Sequence, residues 1–192
     1  MYSTLIFTSM TDSSQFLSFG IVFWLMPEKA SKKWLQTLIS DIAKENFGPV
    51  FTPHLTLLSK IPLERQRMLR EDSGNQQLQE LIQTFEPLEI KFTEIGSNSN
   101  YYQCCFLQAE YNSKLLKLRD NLSTFFCISS LEKFNPHLSL FYGNQSSISI
   151  EKISSFFNFS EPLVIRFDQL EAHRIEGEIT NWKYINSYDL KS

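Results

Sequence analysis

The chain has 192 residues, 42% of them hydrophobic and 20% charged, which is the balance of a globular protein and excludes a disordered one. Its 18 basic and 21 acidic residues leave a net charge of -3, which argues against a surface built to track a long polyanion. The longest apolar run, Gly20 to Met26, is too short to span a bilayer, and the first residues lack the basic-then-apolar pattern of a secretory signal. A cytoplasmic monomer with no membrane partner is expected, with Cys104, Cys105 and Cys127 as reduced thiols.

Residues 1–19 are polar and without periodicity, and read as a loosely ordered N-terminal extension to a single domain over 20–192. Ile21 to Leu25 reads as a buried strand closed by Pro27. From Glu28 to Phe47 the residues Trp34, Leu35, Leu38, Ile39, Ile42 and Phe47 recur at helical spacing, and Gly48-Pro49 ends the helix. A strand follows from Thr52 to Leu58. Leu63 to Phe85 is helix-prone but interrupted at Asp72-Ser73-Gly74, which predicts two short helices. After Pro87, Leu88, Ile90 and Phe92 alternate as a strand, and Gly96 to Asn100 turns into another strand from Tyr101 to Ala109. Asn112 or Ser113 caps a helix carrying Leu115, Leu118, Leu122 and Phe125. A strand from Pro136 to Tyr142, a short helix from Ser149 to Phe157 and a strand from Leu163 to Ala172 come next. A turn at Glu176-Gly177-Glu178 leads to a last strand through Trp182, Tyr184 and Ile185. The order of elements in the first half recurs in the second, which predicts two α+β halves facing a common cleft.

What makes the recurrence informative is a near-duplicate stretch in each half. Pro53-His54-Leu55-Thr56-Leu57 and Pro136-His137-Leu138-Ser139-Leu140 hold two of the three histidines of the chain. Period-two alternation puts His54 and Thr56 on one face of a strand and Leu55 and Leu57 on the other, and likewise His137 and Ser139 against Leu138 and Leu140. An imidazole and a hydroxyl two residues apart lie side by side, about 7 Å apart at their Cα atoms. Two such pairs across a cleft offer two bases and two neutral donors, an inventory suited to a phosphate. With the acidic net charge, small nucleotides or RNA ends are the expected partners rather than long RNA.

Two His-x-Thr/Ser motifs about eighty residues apart, one per half, resemble those of the two-histidine (2H) phosphoesterase superfamily. Within it, PHLTL and PHLSLFYG, Trp24 upstream and the chain's size are similar to the cyclic phosphodiesterases of fungi and plants. The resemblance runs from about Gly20 to Tyr188. It implies an α+β fold of two similar halves, each with a mainly antiparallel sheet and flanking helices. The activity it implies is a 2',3'-cyclic-nucleotide 3'-phosphodiesterase linked to tRNA splicing, opening ADP-ribose 1'',2''-cyclic phosphate and nucleoside 2',3'-cyclic phosphates. His54 and His137 would be the catalytic pair, Thr56 and Ser139 the phosphate-binding hydroxyls, and Tyr142 and Trp24 substrate contacts. Tyr142 has the parity to face away from Ser139 and reaches the site only where the strand bends near Gly143.

Other readings compete with these. A related enzyme acting on RNA termini or 2',5'-linked oligonucleotides would want a basic groove, and a phosphate-end binding module would carry the motifs without turnover. A metal is not expected, since no HExxH, HxH or CxxC spacing occurs and hydroxyls are poor companions for zinc. Nor is a cofactor, with six glycines and no glycine-rich phosphate loop. Arg65, Arg67 and Arg70, with Lys60 before them, read as a solvated helix face. His173 reads as an ordinary surface or edge residue.

Overall fold

Ile21, Phe23 and Leu25 point into the main core while Val22, Trp24 and Met26 join a second cluster with Ile175, so the strand carrying them is buried on both faces. Two-sided burial is why this run is continuously apolar rather than alternating. That strand, β1, spans Ser18–Pro27 in the computed structural model, which describes residues 18–128 and 133–191. The extension expected over 1–19 therefore lies, apart from Ser18 and Phe19, outside the described residues.

Helix α1 (Lys29–Asn46) buries Leu35, Ile39, Ile42 and Ala43. Phe47 was expected on that face but is the left-handed residue that ends the helix, and its side chain is 99% exposed. Gly48 follows because the Phe141 ring lies where a Cβ would stand, and its N–H closes the helix on Ala43 O at 3.0 Å. Strand β2 (Leu55–Ile61) starts and ends three residues later than the expected Thr52 to Leu58, so that His54 immediately precedes it, and leads into a 3-10 helix (Leu63–Leu69) and α2 (Asp72–Ile82). The two short helices break at Arg70–Glu71 rather than at Asp72-Ser73-Gly74. The latter residues form the first turn of α2, where Asp72 complements the helix dipole and Gly74 packs on the Met68 backbone.

Strand β3 (Leu88–Gly96) pairs with β4 (Cys105–Ala109). The strand expected from Tyr101 starts four residues later, because Asn100 accepts a hydrogen bond from the Tyr102 N–H and opens a 3-10 turn over Tyr101–Gln103. Helix α3 (Ser113–Phe125) is capped by Asn112, whose side chain accepts from the N–H groups of Lys114 and Leu115. Strand β5 (His137–Phe141), a short α4 (Ile150–Ser154), β6 (Leu163–Gly177) and β7 (Lys183–Asp189) complete the described chain. Helix α4 ends earlier than expected, and β6 runs five residues past Ala172 before turning at Gly177, whose φ is 65°.

All strand pairs are antiparallel, in the order β1-β2-β5-β4-β3-β6-β7, and an added β1–β6 pairing closes the circuit. β6 makes this possible by its 15-residue length. Its first residues pair with β3, and the rest pair with β1 on one edge and β7 on the other. The two halves are thus arms of one sheet that shares β6. Across it runs a row of paired apolar residues, Leu170, Leu25, Leu55, Leu138 and Leu107, all fully buried.

At the centre of that row, Leu55 pairs with Leu138 and holds β2 against β5. Leu138→Ala is expected to cost about 2–5 kcal/mol, as truncation of a fully buried leucine does, and to lower activity beyond the loss of folded protein. Urea unfolding followed by circular dichroism checks the first, and activity per folded molecule the second.

Candidate active site

The Leu55–Leu138 pair consists of the middle residues of the two repeated motifs. Extending its antiparallel register by one residue each way sets His54 opposite Ser139 and Thr56 opposite His137. The two leucines point into the core, so the four polar side chains share the other face. They line one cavity of about 480 Å³, together with Trp24, Lys60, Tyr102, Gln103, Tyr142 and Trp182. Every candidate site residue is thereby brought to one place. An adjoining cavity of about 280 Å³ shares Thr56, Ser59, Lys60, Gln103 and His137 and adds Arg119 and Lys133. A larger concavity of about 1050 Å³, beside α1, is lined by none of the motif residues.

The two histidines are oriented by the same local device. His54 Nδ1 lies 2.6 Å from Thr52 O and His137 Nδ1 lies 2.7 Å from Asn135 O, in each case the carbonyl two residues earlier. A carbonyl can only accept, so Nδ1 carries the hydrogen, and in the neutral ring Nε2 keeps its lone pair. The segment before His137 is tied further by Gln108, whose amide donates to Asn135 Oδ1 and Pro136 O at 3.0 and 3.1 Å.

Beyond this device the two differ. His54 is 6% exposed, and burial, reinforced by His173 and His137 nearby, drops its proton affinity to about 3 despite the Thr52 bond and the Glu171 carboxylate. It is neutral across the physiological range. Burial lowers His137 as well, opposed by its Asn135 bond. Tyr142 Oη is 3.5 Å from His54 Nε2, a long contact, and burial pushes the phenol up so that it stays a donor. The strand does leave regular geometry here, since β5 ends at Phe141. The Tyr142 ring stacks on Phe51 at 3.7 Å. Ser139 Oγ donates to Tyr102 O at 2.8 Å, so it must turn to donate to a bound anion.

Trp24 lines the cavity, but both its faces are covered, by His54 on one side and His173 on the other, each at 3.9 Å. It cannot stack on a base as expected, and only its edge is available to substrate. Tyr102 and Trp182, 5.8 Å apart at the cavity wall, are the rings with that opportunity. Neither stood out in a chain with 14% aromatic residues. His173, read as an ordinary residue, is 9% exposed and bonded to Glu171. Lys60 reaches the cavity while Arg65, Arg67 and Arg70 do not line it. Among the described residues no group of three His, Cys, Asp or Glu side chains is placed to hold a metal ion, and no helix is long and apolar enough to cross a membrane. The thiols are free, and burial pushes Cys105 up to about 12.

The depressed proton affinity of His54 ties stability to pH. Unfolded, the ring returns to its ordinary value near 6.5, so between that value and about 3 the unfolded chain binds a proton that the folded chain does not. Stability contributed by the neutral ring is present above that window and lost as pH falls through it. His54→Gln is expected to remove about one proton from the pH slope of stability, as read from urea unfolding between about pH 5.5 and pH 4.5.

A family model described as cyclic phosphodiesterase-like protein matches residues 19–190. Among solved structures, TT0787 of Thermus thermophilus is similar with a TM-score of 0.59 at 13% identity, covering 90% of this chain and 98% of that one. LigT of E. coli, complexed with 3'-AMP, is similar with a TM-score of 0.54 at 13% identity, covering 92% and 99%. A structure described as a phosphoesterase gives a TM-score of 0.57 at 12% identity, covering 91% and 99%. At these identities the likeness is one of fold. No curated protein matches the chain by sequence.

Proposed function

We infer from the cyclic phosphodiesterase-like family, to which the chain belongs by a match across residues 19–190, that it hydrolyses small cyclic phosphodiesters with a pair of histidines. The substrates proposed are ADP-ribose 1'',2''-cyclic phosphate, opened to the 1''-phosphate, and nucleoside 2',3'-cyclic phosphates, opened to 2'-phosphates, in the metabolism that follows tRNA splicing. The observation that carries this reading is the register through Leu55 and Leu138, which sets each motif histidine opposite the other motif's hydroxyl residue around one cavity.

Opening a cyclic phosphate with water needs a base for the water proton and an acid for the departing ribose oxygen. The environments of the rings support a division of labour. His54, strongly biased to the neutral form, is the base and takes the proton at Nε2. His137, lowered by burial and raised by its Asn135 bond, is the acid. The anionic phosphate between the rings favours its protonated form once bound. Thr56 and Ser139, the latter after turning from Tyr102 O, donate to the non-bridging oxygens as charge develops. Tyr142, held as a phenol, donates beside His54.

Tyr102 and Trp182 offer rings to a base, and Lys60, Arg119 and Lys133 along the adjoining cavity supply positive charge suited to a pyrophosphate. That gradient from aromatic to cationic favours a nucleotide with a second phosphate.

The expected result is turnover of adenosine 2',3'-cyclic phosphate and ADP-ribose 1'',2''-cyclic phosphate in excess EDTA, with the position of the product phosphate read by phosphorus NMR. His54→Ala and His137→Ala should each lower the rate about a hundredfold or more, as loss of a general acid or base does. Chelator-sensitive turnover, or activity surviving both substitutions, overturns the mechanism.

A further inference from the structure

His173 is the histidine outside the repeated motifs, and its surroundings are those of a fixed ring. It pairs across β1 with Val22, while Glu171 pairs with Trp24, two residues along the same face of the sheet. The Trp24 indole consequently stands between two imidazoles. His54 stacks on one face with ring centroids 3.9 Å apart and planes 16° from parallel, and His173 on the other at 3.9 Å and 29°. His173 Nε2 is 2.8 Å from Glu171 Oε2, and the other Glu171 oxygen is 3.7 Å from Lys32 Nζ on α1. The edge of Tyr184, on β7, meets the His173 ring at 5.7 Å.

We propose that His173, fixed by Glu171, is a positioning residue for His54 and acts through the Trp24 indole between them, a role that rests on reading His54 as the base. The Thr52 carbonyl fixes one nitrogen of the His54 ring but leaves a swing about that bond, which would carry Nε2 off the reacting water. A flat wall removes the swing. Trp24 is that wall, and it keeps its tilt because its far face is backed by a ring that is itself pinned. His137 has the same backbone bond and a different neighbour, Phe106, which meets it edge-on at 5.1 Å and 61°. Two motifs alike in sequence are thereby given one tightly walled histidine and one with more freedom. A base that must hold water in line gains from the first, since small misplacements of a catalytic group are costly in rate. An acid that delivers a proton to a departing oxygen tolerates the second.

The test is proton NMR of the histidine Cε1–H resonances in the free protein, run beside steady-state kinetics. Three histidines give three resonances, and His54→Gln identifies that of His54 by its absence. In His173→Ala the His54 resonance should move or broaden while that of His137 stays. The turnover number should fall about tenfold with KM changed less than about twofold, the signature of a misplaced group rather than of lost binding. His173→Phe, which keeps a flat ring without the Glu171 bond, should recover part of the loss, the remainder being what the Glu171 bond contributes. An unmoved His54 resonance in folded His173→Ala overturns the proposal, and equal displacement of His54 and His137 replaces it with a general loosening of the site. Should His173→Ala not fold, Glu171→Ala carries the same expectations at smaller size. If the wild type opens no cyclic phosphate, the activity reading fails, while the resonances of the free protein still decide whether His173 holds His54.

Discussion

Everything at the candidate site depends on the contact between Leu55 and Leu138. It is the registered pair between β2 and β5, and it lies in a buried row that crosses the sheet from Leu170 to Leu107. A strand has a side-chain period of two, so a slip of one residue would send both histidines into the core and the leucines into the cleft. The apolar row therefore sets the polar one. Glu171, Trp24 and Thr56 are partners in the neighbouring row of pairs, as are His137 and Gln108, and the β2–β5 contact joins these two runs into one row whose middle members, Trp24, Thr56 and His137, line the cavity. The chemistry of the site is written one residue away from the strongest part of the core.

Onto this symmetric register the fold imposes an asymmetric environment. Each motif histidine donates to the carbonyl two residues before it, which is a property of the local sequence. What surrounds each ring is a property of the sheet. His54 belongs to the arm where β1 and β6 run side by side for ten residue pairs and where Trp24, His173 and Glu171 are neighbours. His137 belongs to the arm where Phe106 and Gln108 flank it from β4. Duplicated motifs with unequal surroundings place the two histidines among different neighbours, the asymmetry that the proposed acid–base reaction would use.

How far the site was legible in the sequence follows from the range of the interactions involved. The motif residues, the alternation of the strands and the α1 positions Leu35, Ile39 and Ile42 are local patterns that the structure retains, whereas Trp34, at the same helical spacing, is 44% exposed. Phe47 was misplaced because a residue at helical spacing can also be the one that leaves the helix, and only the approach of Phe141 to Gly48 decides which. The strand start at Cys105 depended on one side-chain cap from Asn100, which competes with strand propensity. His173 and the two covered faces of Trp24 were out of reach. They arise from pairing between strands about 150 residues apart in the chain, and a lone histidine carries no period to announce it.

The closed circuit of strands also determines what the sheet offers to other molecules. Among the described residues, the outer side of β7 is an edge open to a further strand. That edge is short and is interrupted by a bulge at Ile185, opposite Ala172–His173. Helix α2 braces one face of β7 through its Asn75 side chain, which accepts hydrogen bonds from Asn186 and Tyr188 at 2.9 and 2.8 Å, and Lys183 and Asp189 charge the two ends of the strand. Such features discourage strand addition between molecules. A protein whose histidines are aligned by strand register has particular reason to refuse a foreign strand, and the β1–β6 pairing removes one place where it could dock along ten residue pairs.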